Sequence, residues 1–243
     1  MKVNVVGTSC TWFKRKNTSY VIDDKIVFDI PEGAYKDVLN IVDDIFNVEA
    51  VIISHLHTDH AENLHAIATR YIREKPEGVK PLKVYGPKET LEKLIAFNKL
   101  FYGGKDECDE ASYVGKVEFI SLEDGMTFKL GEYDVTVYKM FHGDEIECFG
   151  FSFTDKKGTT VGFSADTTVC ENLHKMLQKS NFAFVEMSAV NKHRTHISIP
   201  EFVELTKQYK NVKIFPVHTN DECQEYAIKN NLNYLTDGQI LEF

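Results

Sequence analysis

The stretch Ser54-His55-Leu56-His57-Thr58-Asp59-His60 follows directly on the apolar run Ala50-Val51-Ile52-Ile53. Such a run reads as a strand buried on both faces, the kind found in parallel sheets. Imidazoles and a carboxylate crowd its carboxyl end, which is where αβ folds gather functional side chains. In an extended loop, residues i and i+2 project to one side, so His55 and His57 can converge on one cation. Asp59 and His60 lie where the chain turns into the next helix and can reach a second. Nitrogen and carboxylate donors without thiolate suit zinc, with iron or manganese as alternatives.

This motif holds too many donors for one tetrahedral site and too few for two. It therefore predicts further ligands at other strand ends. His142 follows an expected strand over 133–141. Asp166 stands in Ser164-Ala165-Asp166-Thr167, after an apolar run, and His218 follows Ile214-Phe215-Pro216-Val217. Taken singly, each also reads as a surface histidine or, for Asp166, as a helix N-cap. Their shared position is what sets them apart.

Outward from these points, β-branched and aromatic runs predict strands over 3–6, 19–22, 25–29, 50–53, 82–85, 116–120, 127–130, 133–141, 149–154, 159–164, 182–186 and 212–217. Asp23-Asp24 reads as a tight turn. Helical patterns are expected over 31–47, with Leu39, Val42 and Phe46 on one face, and over 60–73, 87–97, 171–180 and 200–209, with a last one from Asp221. The fold class is α/β: an αββα sandwich, two mixed sheets face to face with helices on both outer sides. No linker marks a boundary, so 1–243 is expected to be a single domain. The loop candidate over 103–110 reads as a solvated acidic turn or as a flap near a site.

Composition narrows the function. Across 243 residues, 43% are hydrophobic and 27% charged, values of an ordinary globular chain. No apolar run approaches the ~18–20 residues of a membrane span, and the opening residues reach Gly7 too soon for a secretory core. The 5 cysteines are scattered and include no C-x-x-C pair, which fits a reducing cytoplasm. The net charge of -9 disfavours a large polyanion as partner but not a small anion at a locally positive site.

In order along the chain, His55, His57, Asp59, His60, His142, Asp166 and His218 resemble the ligand set of the metallo-β-lactamase superfamily. Val27-Phe28-Asp29-Ile30-Pro31-Glu32-Gly33 resembles the strand end ahead of its metal motif, where the aspartate, here Asp29, stands behind the ligands. Glu186 with His196-Ile197-Ser198 resembles the pair of the tRNase Z branch, whose histidine acts on the leaving group. The resemblance implies two zinc ions per chain, one on His55, His57 and His142, the other on Asp59, His60 and His218, with Asp166 bridging. Asp59, Glu186 and His196 form the catalytic group in that reading. β-Lactamases lack the bridging aspartate and flavodiiron proteins carry glutamate at the position of His57, so both are disfavoured.

A pair of dications offset by two carboxylates is net positive and attracts a monoanionic phosphodiester. The leaving alkoxide needs a proton, and His196 oriented by Glu186 is the candidate general acid. Its bland alternative is a surface histidine beside Asn191-Lys192-His193-Arg194-Thr195. Enzymes of the tRNase Z branch that process tRNA generally carry a long arm between the third and fourth metal motifs. The short interval from His142 to Asp166 holds two expected strands and the turn Asp155-Lys156-Lys157-Gly158, which leaves no room for an arm. tRNA is therefore the runner-up substrate.

Gly7-Thr8-Ser9-Cys10-Thr11-Trp12-Phe13, followed by Asn17-Thr18-Ser19, is similar to the anti-Pycsar proteins of phages and bacteria, compact tRNase Z-like enzymes that degrade cyclic nucleotides. That likeness implies a cytoplasmic homodimer of relaxed base preference that opens 3′,5′-cyclic nucleotides and counters Pycsar-type anti-phage signalling. Candidate nucleotide contacts are Trp12, Phe13 and Arg15, with Tyr102 and Tyr113 beside the acidic loop. The alternative is that Trp12 packs in the core or at a dimer contact and the basic residues are solvated. A thioesterase or lactonase of the same fold, and a metal-free scaffold, are the competing classes.

Overall fold

In the computed structural model, residues 1–102 and 110–243 are described, and the backbone forms two compact units. The first comprises Met1–Gly7, Asn17–Leu122 and Gly238–Glu242; the second comprises Thr8–Lys16, Glu123–Asp237 and Phe243.

The first unit is built on a mixed sheet. Its strands are β1 (Lys2–Gly7), β2 (Ser19–Ile22), β3 (Ile26–Phe28), β4 (Ala50–Ile52), β5 (Leu82–Pro87) and β6 (Val117–Leu122), with the C-terminal strand β13 (Ile240–Glu242) on the edge, in the order β13-β1-β2-β3-β4-β5-β6. Pairing is antiparallel from β13 to β3 and parallel from β3 to β6. The turn at Asp23-Asp24 has both residues in the left-handed region, φ 49 and 57, as a type I′ hairpin turn requires. Lys25 N–H closes it onto the Ile22 carbonyl. Ala50, Val51 and Ile52 are wholly buried, as a central parallel strand demands. β13 was not expected, being three partly exposed residues with little pattern.

Helices differ from expectation where turns intervene. The helix expected over 31–47 is α1 (Ala34–Val42) followed by a single 3₁₀ turn, Ile45–Asn47. Gly33 at φ 80 delays its start and Asp43 at φ 60 ends it. The buried face is Ala34, Val38 and Val42, with Leu39 and Phe46 only partly covered. The helix expected over 60–73 is split into α2 (Thr58–Ala61) and α3 (Leu64–Glu74). α4 (Lys88–Tyr102) runs on past Phe97, and α5 (Glu110–Tyr113) is a single turn.

The second unit carries the order β12-β11-β10-β9-β8-β7. These strands are β7 (Thr127–Leu130), β8 (Tyr133–Met140), β9 (Cys148–Thr154), β10 (Thr160–Phe163), β11 (Phe182–Glu186) and β12 (Lys213–Val217). β10, β11 and β12 are parallel and the others antiparallel. Helices α6 (Glu171–Lys179), α7 (Ile199–Gln208) and α8 (Asp221–Lys229) complete it. Ser198 and Glu201 cap α7 with a capping box, satisfying two orphan N–H donors. Phe163 and Phe184 stack with centroids 4.8 Å apart, and Phe153 and Phe215 extend this aromatic core.

Gly150 on β9 has no room for a side chain. A Cβ there would lie 2.8 Å from the Phe163 carbonyl and 2.9 Å from that of Ser164. Gly150→Ala is expected to lower stability by about 1–3 kcal/mol, read from denaturant unfolding; an unchanged midpoint would contradict this packing. Among the described residues, no helix is long and apolar enough to cross a membrane.

Candidate metal-ligating residues

In the first unit, β4 ends at Ile52 and the chain turns through the histidine motif into α2. Ser54, His55 and His60 are buried, and Asp59 nearly so. Asp29, at the end of β3, organises them. Its Oδ1 accepts the Ser54 N–H at 2.7 Å, and its Oδ2 accepts both the Ser54 hydroxyl at 2.8 Å and His60 Nδ1 at 2.7 Å. The Ser54 hydroxyl hydrogen is directed at Asp29, so its oxygen accepts from His55 Nδ1–H at 3.0 Å. One carboxylate therefore sets the tautomer of two imidazoles, leaving Nε2 of each as the lone-pair nitrogen. Burial pushes the Asp29 carboxyl up, while His60 and Ser54 pull it down.

His55 Nε2 and His57 Nδ1 lie 3.0 Å apart, and His60 Nε2 is 3.8 Å from Asp59 Oδ2. Two nitrogens each ~2.0–2.1 Å from one zinc would sit about this close.

In the second unit, four strand ends deliver the remaining candidates. His142 follows β8 and donates through Nδ1 to the Thr195 carbonyl at 3.0 Å. Its Nε2 is then the lone-pair nitrogen, 3.7 Å from Asp166 Oδ2. The other Asp166 oxygen, Oδ1, is 3.4 Å from Nδ1 of His218, which follows β12. Asp166 thus turns one oxygen to each histidine. Ligand atoms of Asp166, His196 and His218 all lie within 4.8 Å of one another.

Glu186 ends β11 and is buried. Its Oε1 accepts Thr167 N–H at 2.7 Å and His196 Nδ1 at 3.0 Å; its Oε2 accepts the Ser188 hydroxyl at 2.6 Å. His196 keeps about a quarter of its side chain exposed, and its ring lies 4.9 Å from that of His142 and 5.9 Å from that of His218.

Left-handed backbone recurs at these points. Asp29, Ala165 and His218 have φ of 53, 50 and 52. For non-glycine residues that region costs roughly 1–2 kcal/mol, a cost typically retained at functional positions.

The candidate nucleotide contacts fare unevenly. Trp12 is 96% exposed and Phe13 38%; core packing of Trp12 is thereby excluded. Arg15 needs correction as a substrate contact, because its guanidinium is bonded inward to Thr8 and Thr219. Tyr113 needs correction too: it is buried in the core, its hydroxyl accepting from Asn98. The Tyr102 side chain and the 103–109 part of the proposed flap lie outside the described residues. His65 and His174 are tied to the Glu62 carbonyl and the Tyr209 hydroxyl, in keeping with structural roles.

Residues 28–219 match the family described as Beta-lactamase superfamily domain. The chain belongs to the β-lactamase superfamily and has the metallo-β-lactamase fold. The metallo-β-lactamase fold protein YhfI from Bacillus subtilis superposes with a TM-score of 0.77 at 17% identity, covering 99% of each chain. Human tRNase Z, short form, gives 0.73 at 18% identity over 100% of this chain and 99% of that one. Yeast PDE1 gives 0.72 at 15% identity over 100% and 99%. By sequence, the uncharacterized protein Rv1339 of Mycobacterium tuberculosis is 29% identical over 140 residues, 57% of this chain and 48% of that protein. Ribonuclease Z of Ligilactobacillus salivarius is 26% identical over 136 residues, 54% of this chain and 38% of that enzyme. The matches thus span about half or less of these relatives' length.

Ring nitrogens fixed by their far side, with carboxylates and no thiolate, fit a divalent cation. Sequence reasoning missed Ser54, Ser188 and the Thr195 carbonyl. Ser54 was signalled by a hydroxyl adjoining the first histidine of the motif; a main-chain carbonyl leaves no signal in sequence.

Proposed function

We propose that this chain is a metal-dependent phosphodiesterase opening 3′,5′-cyclic nucleotides to nucleoside monophosphates, with both units serving one catalytic domain. Two divalent cations, zinc foremost and manganese or iron as substitutes, are held in this reading by His55, His57 and His142 and by Asp59, His60 and His218, with Asp166 between them. When bound, such ions acidify a water and stabilise charge on the phosphoryl oxygens.

The Glu186–His196 pair carries the reading. An ester hydrolase expelling a thiolate has no need of a fixed proton donor, whereas a phosphodiester expelling a sugar alkoxide does. Glu186 holds Nδ1–H of His196, which turns Nε2 outward to give a proton to the departing ribose oxygen. The attacking water forms the new P–O bond as the ring P–O bond breaks, and the product is a monoester. Exposed Trp12 and Phe13 offer faces on which any base can stack, consistent with relaxed base preference. Countering Pycsar-type signalling in the host cytoplasm, as a homodimer, is the biological role this reading assigns.

Cleavage of tRNA is the second reading, favoured by the ribonuclease Z relatives. Against it, β9 and β10 are joined by a turn closed by Asp155, and the net charge is -9. Incubation of the zinc-loaded protein with cyclic mononucleotides, a precursor tRNA and a thioester distinguishes the classes. Nucleoside monophosphates are the expected product; preferred cleavage of tRNA or of the thioester would reverse the assignment.

A further inference from the structure

Arg15 belongs to the short Thr8–Lys16 segment of the second unit, and its side chain is directed away from solvent. Only 20% of that side chain is exposed, and a carboxylate oxygen of exposed Asp221 is 3.6 Å away. A guanidinium so placed is costly unless its donors are well used. Nη2 donates to the Thr219 carbonyl at 2.7 Å; Nη1 donates to the Thr219 hydroxyl at 3.1 Å and the Thr8 hydroxyl at 3.2 Å. Its Nε is buried with no hydrogen-bond partner among the described residues. Two of these three hydrogen bonds fall on one residue, Thr219.

Thr219 is the residue after His218. Its carbonyl also accepts from Ser9 Oγ at 3.2 Å and Cys10 N–H at 3.4 Å, and its own N–H donates to the Thr8 carbonyl at 3.0 Å. His218 itself sits at φ 52, a conformation that persists only where surroundings over-determine it. Among the groups that pin the next residue, only Arg15 supplies two donors from one rigid planar group.

We infer that Arg15 is a positioning residue that holds His218 in its left-handed conformation, aiming His218 Nδ1 at Asp166. The inference concerns the second unit alone; its functional consequence rests on the dinuclear reading above. Lysine cannot replace this fork, since a single ammonium on a flexible stem does not span the carbonyl and both hydroxyls.

The test uses the full chain, wild type and with Arg15→Ala or Arg15→Lys. In metal-free protein, imidazole NMR is expected to show the His218 ring signals shifted and broadened in Arg15→Ala, with those of His142 in place. Cobalt(II) titration is expected to show one metal equivalent bound about 10–100-fold more weakly and the other bound as in wild type. Arg15→Lys should lie between, and millimolar ethylguanidinium should restore the lost equivalent in Arg15→Ala. His218 signals identical to wild type in both variants would overturn the inference, as would equal loss of all histidine signals. If Arg15→Ala does not fold, Arg15→Lys carries the same comparison. A His218 shift in the Arg15 variants, with wild type binding only one cobalt, would sustain the positioning role and sink the dinuclear reading.

Discussion

Replacing His196 by alanine is expected to lower kcat on a 3′,5′-cyclic nucleotide by about 10²–10⁴-fold, with KM little changed. The ring's Nδ1 meets Glu186, and the ring packs beside those of His142 and His218, so circular dichroism of the variant is expected to match wild type while activity falls. What is lost is the proton for the leaving ribose oxygen. The deficit should shrink to less than about tenfold on bis-p-nitrophenyl phosphate, whose phenolate departs without protonation. Equal losses on both substrates would remove His196 from the general-acid role. Glu186→Gln should act in the same direction by a different route. Oε1 faces the Thr167 N–H and His196 Nδ1, and Oε2 faces the Ser188 hydroxyl and the Ser188 backbone N–H, which can only donate. A primary amide must turn its NH₂ toward one of them, so only a carboxylate satisfies the pair.

A second large effect is expected from Asp29→Asn. Oδ1 of Asp29 accepts a backbone N–H, which can only donate, so the amide nitrogen would have to take the place of Oδ2 and confront His60 Nδ1. His60 would answer by moving its proton to Nε2, the nitrogen that faces Asp59, and a protonated nitrogen cannot ligate. The Ser54 hydroxyl would lose its acceptor in the same step, which releases the tautomer of His55. Metal affinity should fall about 10–100-fold, measured by competition against a chelator. Asparagine tolerates the left-handed backbone of this position, so the folded protein should persist by circular dichroism. Undiminished zinc binding in Asp29→Asn would show that the carboxylate does not govern these ligands.

Much of the architecture was legible because strand periodicity and strand-end chemistry are local. The runs that became β2, β7 and β11 were bounded correctly, and the Asp23-Asp24 turn needed only two residues tolerant of positive φ. The errors fell where a local signal was overruled. Apolar spacing continued through Asp43, but the chain broke there into a 3₁₀ turn, and Ile30 N–H is tied instead to the His60 carbonyl. Arg15 and Tyr113 looked like substrate contacts because a cation and a phenol suit a nucleotide. Nothing in their neighbours showed that Thr219 and Asn98 would claim them.

By itself, the sequence determined the family, the alternation of strands and helices, and the identity of the donor side chains, since these depend on residue type and spacing. Only the tertiary structure decided which nitrogen of each anchored imidazole carries the proton, which carboxylates hold rings in place, and which cation serves the scaffold. Those properties arise from hydrogen bonds between residues far apart in the chain, such as Asp29 with His60 and Arg15 with Thr219, and no local pattern encodes them.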